Sequence, residues 1–303
     1  MIVNGSAQYA TAAAFRRAVE DRLKAHAKVT GRNLQELRRE FLFQRFLALL
    51  FSEPAGQQWV LKGGASLLMR LADARSSKDL DLLRLGELQP DQAVAELREI
   101  TAARDGDHLT FVVEDGVTYS SANPVVEISV TAYAGGIYER FPIDLATELH
   151  LIAAPERVTP VPVIDVPGLP APPELVLYPL TDQVADKVCA MYERHRNADA
   201  VSTRFRDLLD LALIVTTSEL DGRNLTLALA SETKRRRVDL PTAMRPPGPN
   251  WPAGYAATAR GSRIVPHLRQ LDAALAAVAA CLDSVLSGNR SSGTWNPQTS
   301  RWS

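Results

Sequence analysis

Two aspartates in the first half of the chain have the spacing expected of metal-binding carboxylates. Asp79 and Asp81 alternate with Leu80 and Leu82 within Lys78 to Leu85. In a strand, side chains two residues apart point to the same face, so the carboxylates share one side while the leucines enter the core. Oxygen ligands of this kind suit Mg²⁺ or Mn²⁺, and a cation between them offsets the repulsion of the two like charges.

A third carboxylate, Asp144, stands between Ile143 and Leu145 in another apolar, strand-like run. If that strand lies beside the first, three carboxylates converge, and such a trio can hold the pair of ions used for in-line phosphoryl displacement. The residues alone leave a second interpretation open, because Asp-x-Asp also occurs by chance in loops and Asp144 can simply end a strand.

Lys62, Gly63 and Gly64 separate a short apolar run from a helix-like stretch. Glycines let a backbone approach a polyphosphate, and the free N–H groups of a helix start, together with Lys62, attract its charge. Ser77 precedes Asp79 by two residues, so its hydroxyl can bind a phosphate oxygen or a metal-bound water, or can stabilise a local turn. These four residues are the predicted phosphate-binding set.

The elements that must position these side chains fall into two halves. Short apolar runs interrupted by Gly or Asn-Pro predict strands over 109–150, with a hairpin turn at Gly135-Gly136. Helical periodicity predicts helices over 8–29, 32–51, 65–71, 90–104, 179–196, 203–217, 223–237 and 263–287. The expected fold class is α/β (α+β), with a mixed or antiparallel sheet. The expected domains are 1–157, a proline-rich connector over 158–178, and a helical domain over 179–303.

Composition and charge limit the kind of protein this is. The chain has 303 residues, 46% of them hydrophobic, and a formal net charge of −1, which is ordinary for a globular protein and excludes a globally basic nucleic-acid binder. Any RNA-binding surface must therefore be local, and the densest positive run is Lys234, Arg235, Arg236 and Arg237. No apolar run is long enough for a membrane span and no secretory signal is evident, so we expect a cytoplasmic protein in which Cys189 and Cys281 are reduced core residues.

Four sequence elements, two of which include the residues described above, follow one another in a recognisable order. They are Leu61 to Gly64; Arg75, Ser77, Asp79 and Asp81; Asp186, Lys187 and Ala190; and Arg204, Arg206, Asp207, Asp210 and Leu211. Together they resemble the elements of the AbiEii-type (MenT-like) toxins of bacterial abortive-infection and toxin–antitoxin systems, within the DNA polymerase β superfamily. The resemblance extends over about residues 35 to 302. It departs from the family's pattern at Asp186, where Glu is usual.

The resemblance implies a polymerase β-type nucleotidyltransferase core and a helical C-terminal domain that closes the active-site cleft. Asp79, Asp81 and Asp144 become the metal-binding and catalytic carboxylates. Lys187 offsets the charge of the leaving pyrophosphate, and Asp207 positions that lysine, the sugar or the attacking hydroxyl. The implied reaction transfers nucleotides from an NTP to RNA, at the 3′ acceptor end of tRNA, which blocks aminoacylation and translation. The implied partner is a cognate antitoxin.

Two other functions remain open at this point. The same core can transfer a nucleotide to a protein or to a small molecule such as an aminoglycoside. Alternatively, the chain can be a decayed transferase that only binds RNA or its antitoxin. The joint presence of every expected site residue argues against decay, because a decayed site would be expected to lose some of them. The aromatic residues Trp251, Tyr255, Trp295 and Trp302 can stack on bases, although we expect them to fix the long loop and the tail to the body.

Overall fold

The computed structural model describes residues 9–102, 108–119, 125–194 and 201–303. By its internal contacts the chain divides into two compact units. The first unit contains the described residues up to Arg70 together with those of Ser76–Leu149 and Glu156–Leu177. The second contains Leu71–Arg75, His150–Pro155 and Tyr178–Ser303.

A seven-stranded mixed sheet forms the centre of the first unit, in the strand order β3-β4-β5-β2-β1-β7-β6. Its strands are β1 (Trp59–Lys62), β2 (Leu80–Arg84), β3 (Thr110–Tyr119), β4 (Val125–Tyr133), β5 (Ile137–Ala146), β6 (Glu156–Val158) and β7 (Leu175–Leu177). Strand β2 is parallel to β5 and β1 is parallel to β7, while the other neighbours are antiparallel. The mixed α/β class is confirmed, and the segment predicted as a proline-rich connector supplies β7 at one side of this sheet.

The helices of the first unit cover the sheet with apolar side chains. They are α1 (Ala12–Thr30), α2 (Leu34–Ser52), α3 (Gly63–Arg70) and α4 (Pro90–Ala102), with a short 3-10 helix at Pro54–Gln58. Helix α2 begins after Asn33, whose side chain accepts hydrogen bonds from the backbone N–H groups of Gln35 and Glu36 at 2.8 and 3.2 Å. Phe43 and Phe46 of α2 then meet Phe141 of β5 edge-to-face, with ring centroids 5.0 and 5.8 Å apart.

The hairpin that joins β4 to β5 forms where the Gly-Gly pair predicted it. Gly135 adopts a left-handed conformation with φ 71°, and the N–H of Ala134 donates to the carbonyl of Gly136 at 2.9 Å. This tight connection fixes the β4–β5 register, in which Glu127 lies opposite Asp144.

The second unit is helical with a small three-stranded sheet. Its helices are α5 (Leu180–Tyr192), α6 (Phe205–Thr217), α7 (Gly222–Arg236), α8 (Trp251–Ala259) and α9 (Leu271–Leu286), with a 3-10 helix at Pro266–Arg269; its strands are β8 (Leu220–Asp221), β9 (Thr294–Asn296) and β10 (Arg301–Trp302). Three predicted helix boundaries differ by more than two residues. The 8–29 helix begins at Ala12, and the 179–196 helix ends at Tyr192. The 263–287 helix begins only at Leu271, after the separate 3-10 helix that starts at Pro266. Positions 8, 103, 104, 195 and 196 of the predicted helices lie outside the described residues.

Two regions outside the predicted helices, the long Pro/Gly-rich loop between the 223–237 and 263–287 helices and the C-terminal tail, are ordered by their aromatic residues. Within the Pro/Gly-rich loop, Trp251 and Tyr255 are buried in α8, where the Trp251 indole donates to the carbonyl of Ser202 at 2.9 Å. In the tail, the buried Trp295 donates to the carbonyl of Val215 at 2.7 Å. The expectation that these residues fix the loop and the tail is therefore confirmed, and Cys189 and Cys281 are free and buried, as expected. None of the helices in the described ranges is both long enough and apolar enough to cross a bilayer.

Candidate active site

Four charged residues form one row across the sheet of the first unit. Lys62 pairs with Asp81, Asp81 pairs with Asp144, and Asp144 pairs with Glu127. Directly paired residues place their side chains on the same face, and neighbouring strands lie about 4.8 Å apart. The row therefore has a positive end on β1 and a negative end on β4. Of its members, only Glu127 was not predicted from the sequence.

Gly63, the first residue of α3, lies directly against the Asp81 carboxylate. A Cβ atom placed on Gly63 would lie 1.8 Å from Oδ2 of Asp81, so this carboxylate occupies the space that any other residue would fill. Gly63 also has φ 60°, in the left-handed region that favours glycine. Gly64 is buried in the first turn of the same helix. The predicted glycine turn and the first predicted carboxylate strand are thus in direct contact.

Asp79 lies in the bend just before β2, so the strand begins one residue later than Asp79 and two residues later than predicted. Ser77, which is 5% exposed, donates its hydroxyl proton to Oδ1 of Asp79 at 2.8 Å. Neither sequence interpretation of this serine anticipated that bond. Ser77 orients Asp79, and the half-buried positions of Asp79 and Asp81 alternate with Leu80 and Leu82, which are fully buried, as expected.

The pKa of Asp144 is raised by its burial and by the charged residues around it. Burial is the largest cause, since it disfavours the charged carboxylate, and the negative charges of Asp79 and Glu127 raise the pKa further. Lys62 acts in the opposite direction and lowers it. The pKa of Asp144 therefore responds to charges at both ends of the row and to that of Asp79, which links two of the three predicted carboxylates electrostatically.

The carboxylate oxygens of Asp79 and Asp81 are ligands of the kind that a hard divalent cation prefers. Within the described ranges, no three His, Cys, Asp or Glu side chains are gathered closely enough to hold a metal ion by themselves. Mg²⁺, however, is commonly held by one or two carboxylates together with substrate phosphates. Asp79, oriented by Ser77 just before β2, and Asp81, which lies against Gly63 within β2, are two carboxylates of this kind. These residues fit Mg²⁺ as part of a nucleotide complex.

The other predicted catalytic residues, Lys187 and Asp207, belong to the second unit, where they form a buried network. The Lys187 ammonium donates to Asp207 at 3.1 Å and to Asp210 at 2.6 Å, and Arg75 binds both oxygens of Asp210 at 3.0 and 3.1 Å. Burial on its own would lower the pKa of Lys187, but the Asp210 and Asp207 carboxylates outweigh it and raise the pKa. The pKa of Asp210 is lowered, because Lys187 and Arg75 outweigh its burial. Both groups are therefore charged.

Two of the four residues in the predicted RNA-binding run are engaged inside the second unit. Arg236 forms ion pairs with Asp186 and Glu193, both at 2.6 Å, and with Glu232. Arg235 binds Glu232 at 2.8 Å and lies 3.8 Å from Asp186. Lys234 and Arg237 are exposed, and neither forms an ion pair with any described residue. The run is thus divided into a structural half and a half that faces solvent.

Comparison with known proteins identifies the family to which the chain belongs. The model of the "Nucleotidyl transferase AbiEii toxin, Type IV TA system" family matches residues 45–277, which is more than half of the chain. The chain belongs to the AbiEii nucleotidyltransferase family. It is accordingly a nucleotidyltransferase, and the resemblance inferred from its four sequence elements is confirmed. The match includes all the predicted site residues.

One solved structure shows a similar fold at low sequence identity. This AbiEii nucleotidyltransferase is similar to MenT4, a nucleotidyltransferase toxin from Mycobacterium tuberculosis H37Rv, with a TM-score of 0.56, 18% identity, and coverage of 88% of this chain and 89% of that one. A structure of JHP933 from Helicobacter pylori matches with a TM-score of 0.47 and 15% identity, over 85% of this chain and 95% of that one. No curated protein sequence matches the chain.

Substituting Gly63→Ala in this AbiEii enzyme tests the contact with Asp81. The new methyl group must displace the Asp81 carboxylate, and misplacing a reacting group by an ångström can cost roughly a hundredfold in rate. The left-handed backbone adds a stability cost of only about 1–2 kcal/mol. We expect nucleotide transfer to fall by that factor while a urea titration shows a folded protein. Gly136→Ala is the control, because no heavy atom lies within 4 Å of its added Cβ. Full activity of Gly63→Ala would show that the Asp81 position is unimportant.

Substituting Asp210→Ala tests the buried network of the second unit. The change removes one carboxylate that holds both Lys187 and Arg75, and breaking a buried ion pair in this way costs about 3–5 kcal/mol. We expect the free energy of unfolding to fall by that amount in urea titrations followed by circular dichroism. Glu219→Ala, an exposed carboxylate before β8, serves as the control and should change it by less than about 0.5 kcal/mol. Equal effects in the two variants would contradict a stabilising network.

Proposed function

We propose that this AbiEii enzyme transfers a nucleotide from an NTP to the 3′-hydroxyl of RNA, at the acceptor end of tRNA, and thereby blocks aminoacylation and translation. The observation that carries the proposal is the charged row, with Lys62 and the glycine turn at one end and three carboxylates towards the other. Family membership supports the nucleotidyl transfer. The toxin description of the family supports an acceptor that the cell needs, and tRNA is the acceptor that the family resemblance implies.

Each predicted residue has a task in this reaction. Lys62, Gly63, Gly64 and the start of α3 bind the phosphates, because backbone N–H groups and a lysine attract negative charge there. Asp79 and Asp81 would hold Mg²⁺ or Mn²⁺, which when bound withdraws charge from the phosphate oxygens. Ser77 keeps Asp79 oriented for this purpose.

The bond changes balance without a further reactant. The 3′-oxygen of the acceptor forms a bond to the α-phosphorus, the bond from that phosphorus to the pyrophosphate oxygen breaks, and pyrophosphate leaves. Asp144 completes the metal site or accepts the proton released by the hydroxyl. Lys187 offsets the charge of the leaving pyrophosphate, with Asp207 as the residue that positions it. These last roles rest on the family resemblance.

The proposed partners are an NTP, tRNA and a cognate antitoxin. For tRNA we propose the exposed half of the basic run, Lys234 and Arg237, as a phosphate contact, since four basic side chains in sequence are the densest positive charge of a near-neutral chain. Arg235 and Arg236 contribute by fastening this end of α7 to Asp186 on α5.

Substituting Asp79→Ala directly tests whether this carboxylate is needed for nucleotide transfer. Removing one metal-holding carboxylate should forfeit several kcal/mol of transition-state stabilisation, so labelling of total tRNA by α-labelled NTP should fall by at least about a hundredfold. Each of the four NTPs is supplied separately, and RNA is separated from protein before counting. Asp73→Ala, an exposed carboxylate in the preceding turn, should keep full activity.

The same assay distinguishes the other functions. Label on the protein itself or on an added aminoglycoside, with none on RNA, would replace tRNA as the acceptor. Undiminished labelling of RNA by Asp79→Ala would overturn the assignment of the carboxylates. A wild-type protein that shows no Mg²⁺-dependent NTP binding by calorimetry would be a binding module rather than an enzyme.

The basic run generates a separate prediction about salt. Replacing both Lys234 and Arg237 by Gln removes two phosphate contacts, and each lost contact should reduce the slope of log K against log salt by roughly 0.7–0.9. We therefore expect tRNA affinity, measured by fluorescence anisotropy at several salt concentrations, to become less salt-dependent. Arg223→Gln, an exposed arginine in the first turn of α7, is the matched control. An unchanged slope in the double variant would exclude this run from the RNA contact.

A further inference from the structure

Glu127 extends the charged row beyond the residues that nucleotide binding requires. It lies in β4, directly opposite Asp144, on the same face as Asp81 and Lys62. Its side chain is exposed, and it forms no hydrogen bond or ion pair with any described residue. It is one of the two side chains whose negative charge raises the pKa of Asp144. Glu127 therefore faces the reaction site with an unused carboxylate.

The fold gains nothing from a carboxylate at this position. Like charges directly opposite each other on adjacent strands destabilise a sheet. The neighbours Val126 and Ile128 are buried at 2% and 0% exposure, and they give β4 its packing. A residue that costs stability and lies beside a reacting group is typical of one retained for function.

The direction of the row places Glu127 on the acceptor side. In an in-line displacement the attacking and leaving oxygens lie on opposite sides of the phosphorus. If Lys62 and the start of α3 hold the leaving pyrophosphate, the attacking hydroxyl approaches from the other end, past Asp144. Glu127 is one strand further along, about 4.8 Å away, where the rest of the acceptor's terminal ribose must lie.

We propose that Glu127 accepts a hydrogen bond from the 2′-hydroxyl of the acceptor's terminal ribose while the 3′-hydroxyl attacks beside Asp144. The inference rests on the proposed function and deepens it, because it names the group by which the site selects an RNA end. A ribose terminus carries two hydroxyls on adjacent carbons, and two carboxylates on adjacent strands match that pair. The 2′-hydroxyl is also the group that distinguishes RNA from DNA at a single site. Glu127 is thus an acceptor-binding residue.

The test compares two acceptors and two enzymes. One RNA ends in an ordinary ribose, and the other differs only in a 2′-deoxy terminal nucleotide. A hydrogen bond to a charged group corresponds to about a ten- to hundredfold effect, so wild-type kcat/KM should be lower by that factor for the deoxy terminus. In Glu127→Ala the ratio between the two acceptors should approach one, because activity on the ribose terminus falls while activity on the deoxy terminus is retained.

Further measurements separate this role from a structural one. The Kd for NTP should be unchanged in Glu127→Ala, and the urea midpoint should be equal or higher, since a like-charge contact is removed. Glu127→Gln keeps an acceptor oxygen and should restore part of the preference. Glu148→Ala, an exposed carboxylate just after β5, should behave as wild type in every assay.

The outcomes distinguish the two levels of the proposal. A wild-type enzyme that labels no polynucleotide overturns the proposed function, and the inference about Glu127 with it. A wild-type enzyme that labels RNA, together with a Glu127→Ala variant that keeps the full preference for a ribose terminus, overturns the inference about Glu127 alone. A loss of NTP affinity or of stability in that variant would also count against it.

Discussion

Strands β2 and β5 run parallel and pair directly, and the register of this pair places Asp81 beside Asp144. The register is fixed by apolar side chains rather than by the charges. Leu80, Leu82 and Ile143 are completely buried, and a slip of one residue would exchange them with the carboxylates on the other face. The hydrophobic effect thus aligns acidic groups that would repel one another if they were free to move. The geometry of the candidate site is therefore a consequence of core packing.

The sheet also brings charged residues that are distant in sequence into one row, with positive charge at one end and negative charge at the other. Lys62 and Glu127 are 65 positions apart in the numbering, yet they stand at the two ends of one row. A gradient of this kind gives the site a direction, since a polyphosphate prefers the positive end and hydroxyl donors prefer the negative end. The concentration of negative charge is tolerable because these side chains are half-buried or exposed, where an effective dielectric near 20 weakens their repulsion.

The sequence was sufficient to predict the strands that carry the carboxylates. It was insufficient to predict which residues lie beside them. Alternation within residues 78–85 predicted which residues enter the core, and the apolar flanks of Asp144 predicted a strand. Strand order and register cannot be obtained from one sequence, because they depend on contacts between distant segments, so Glu127 looked like one polar position in an ordinary alternating strand. For the same reason, Asp210 could not be identified from the sequence as the partner of Arg75. Helix α8 was missed because Pro and Gly dominate its surroundings, while its order comes from the burial of Trp251 and Tyr255.

The buried network of the second unit constrains how Lys187 can act. Lys187 and Arg75 balance Asp207 and Asp210 in formal charge, and a buried charge without a partner is costly. An ammonium has three N–H donors, and the two carboxylates accept two of those of Lys187. Asp210 is also held by two hydrogen bonds from Arg75, so this carboxylate has two cationic partners. Asp207 has no second ligand as close, since Arg204 is 4.0 Å from it, so its pairing within this unit depends on the lysine.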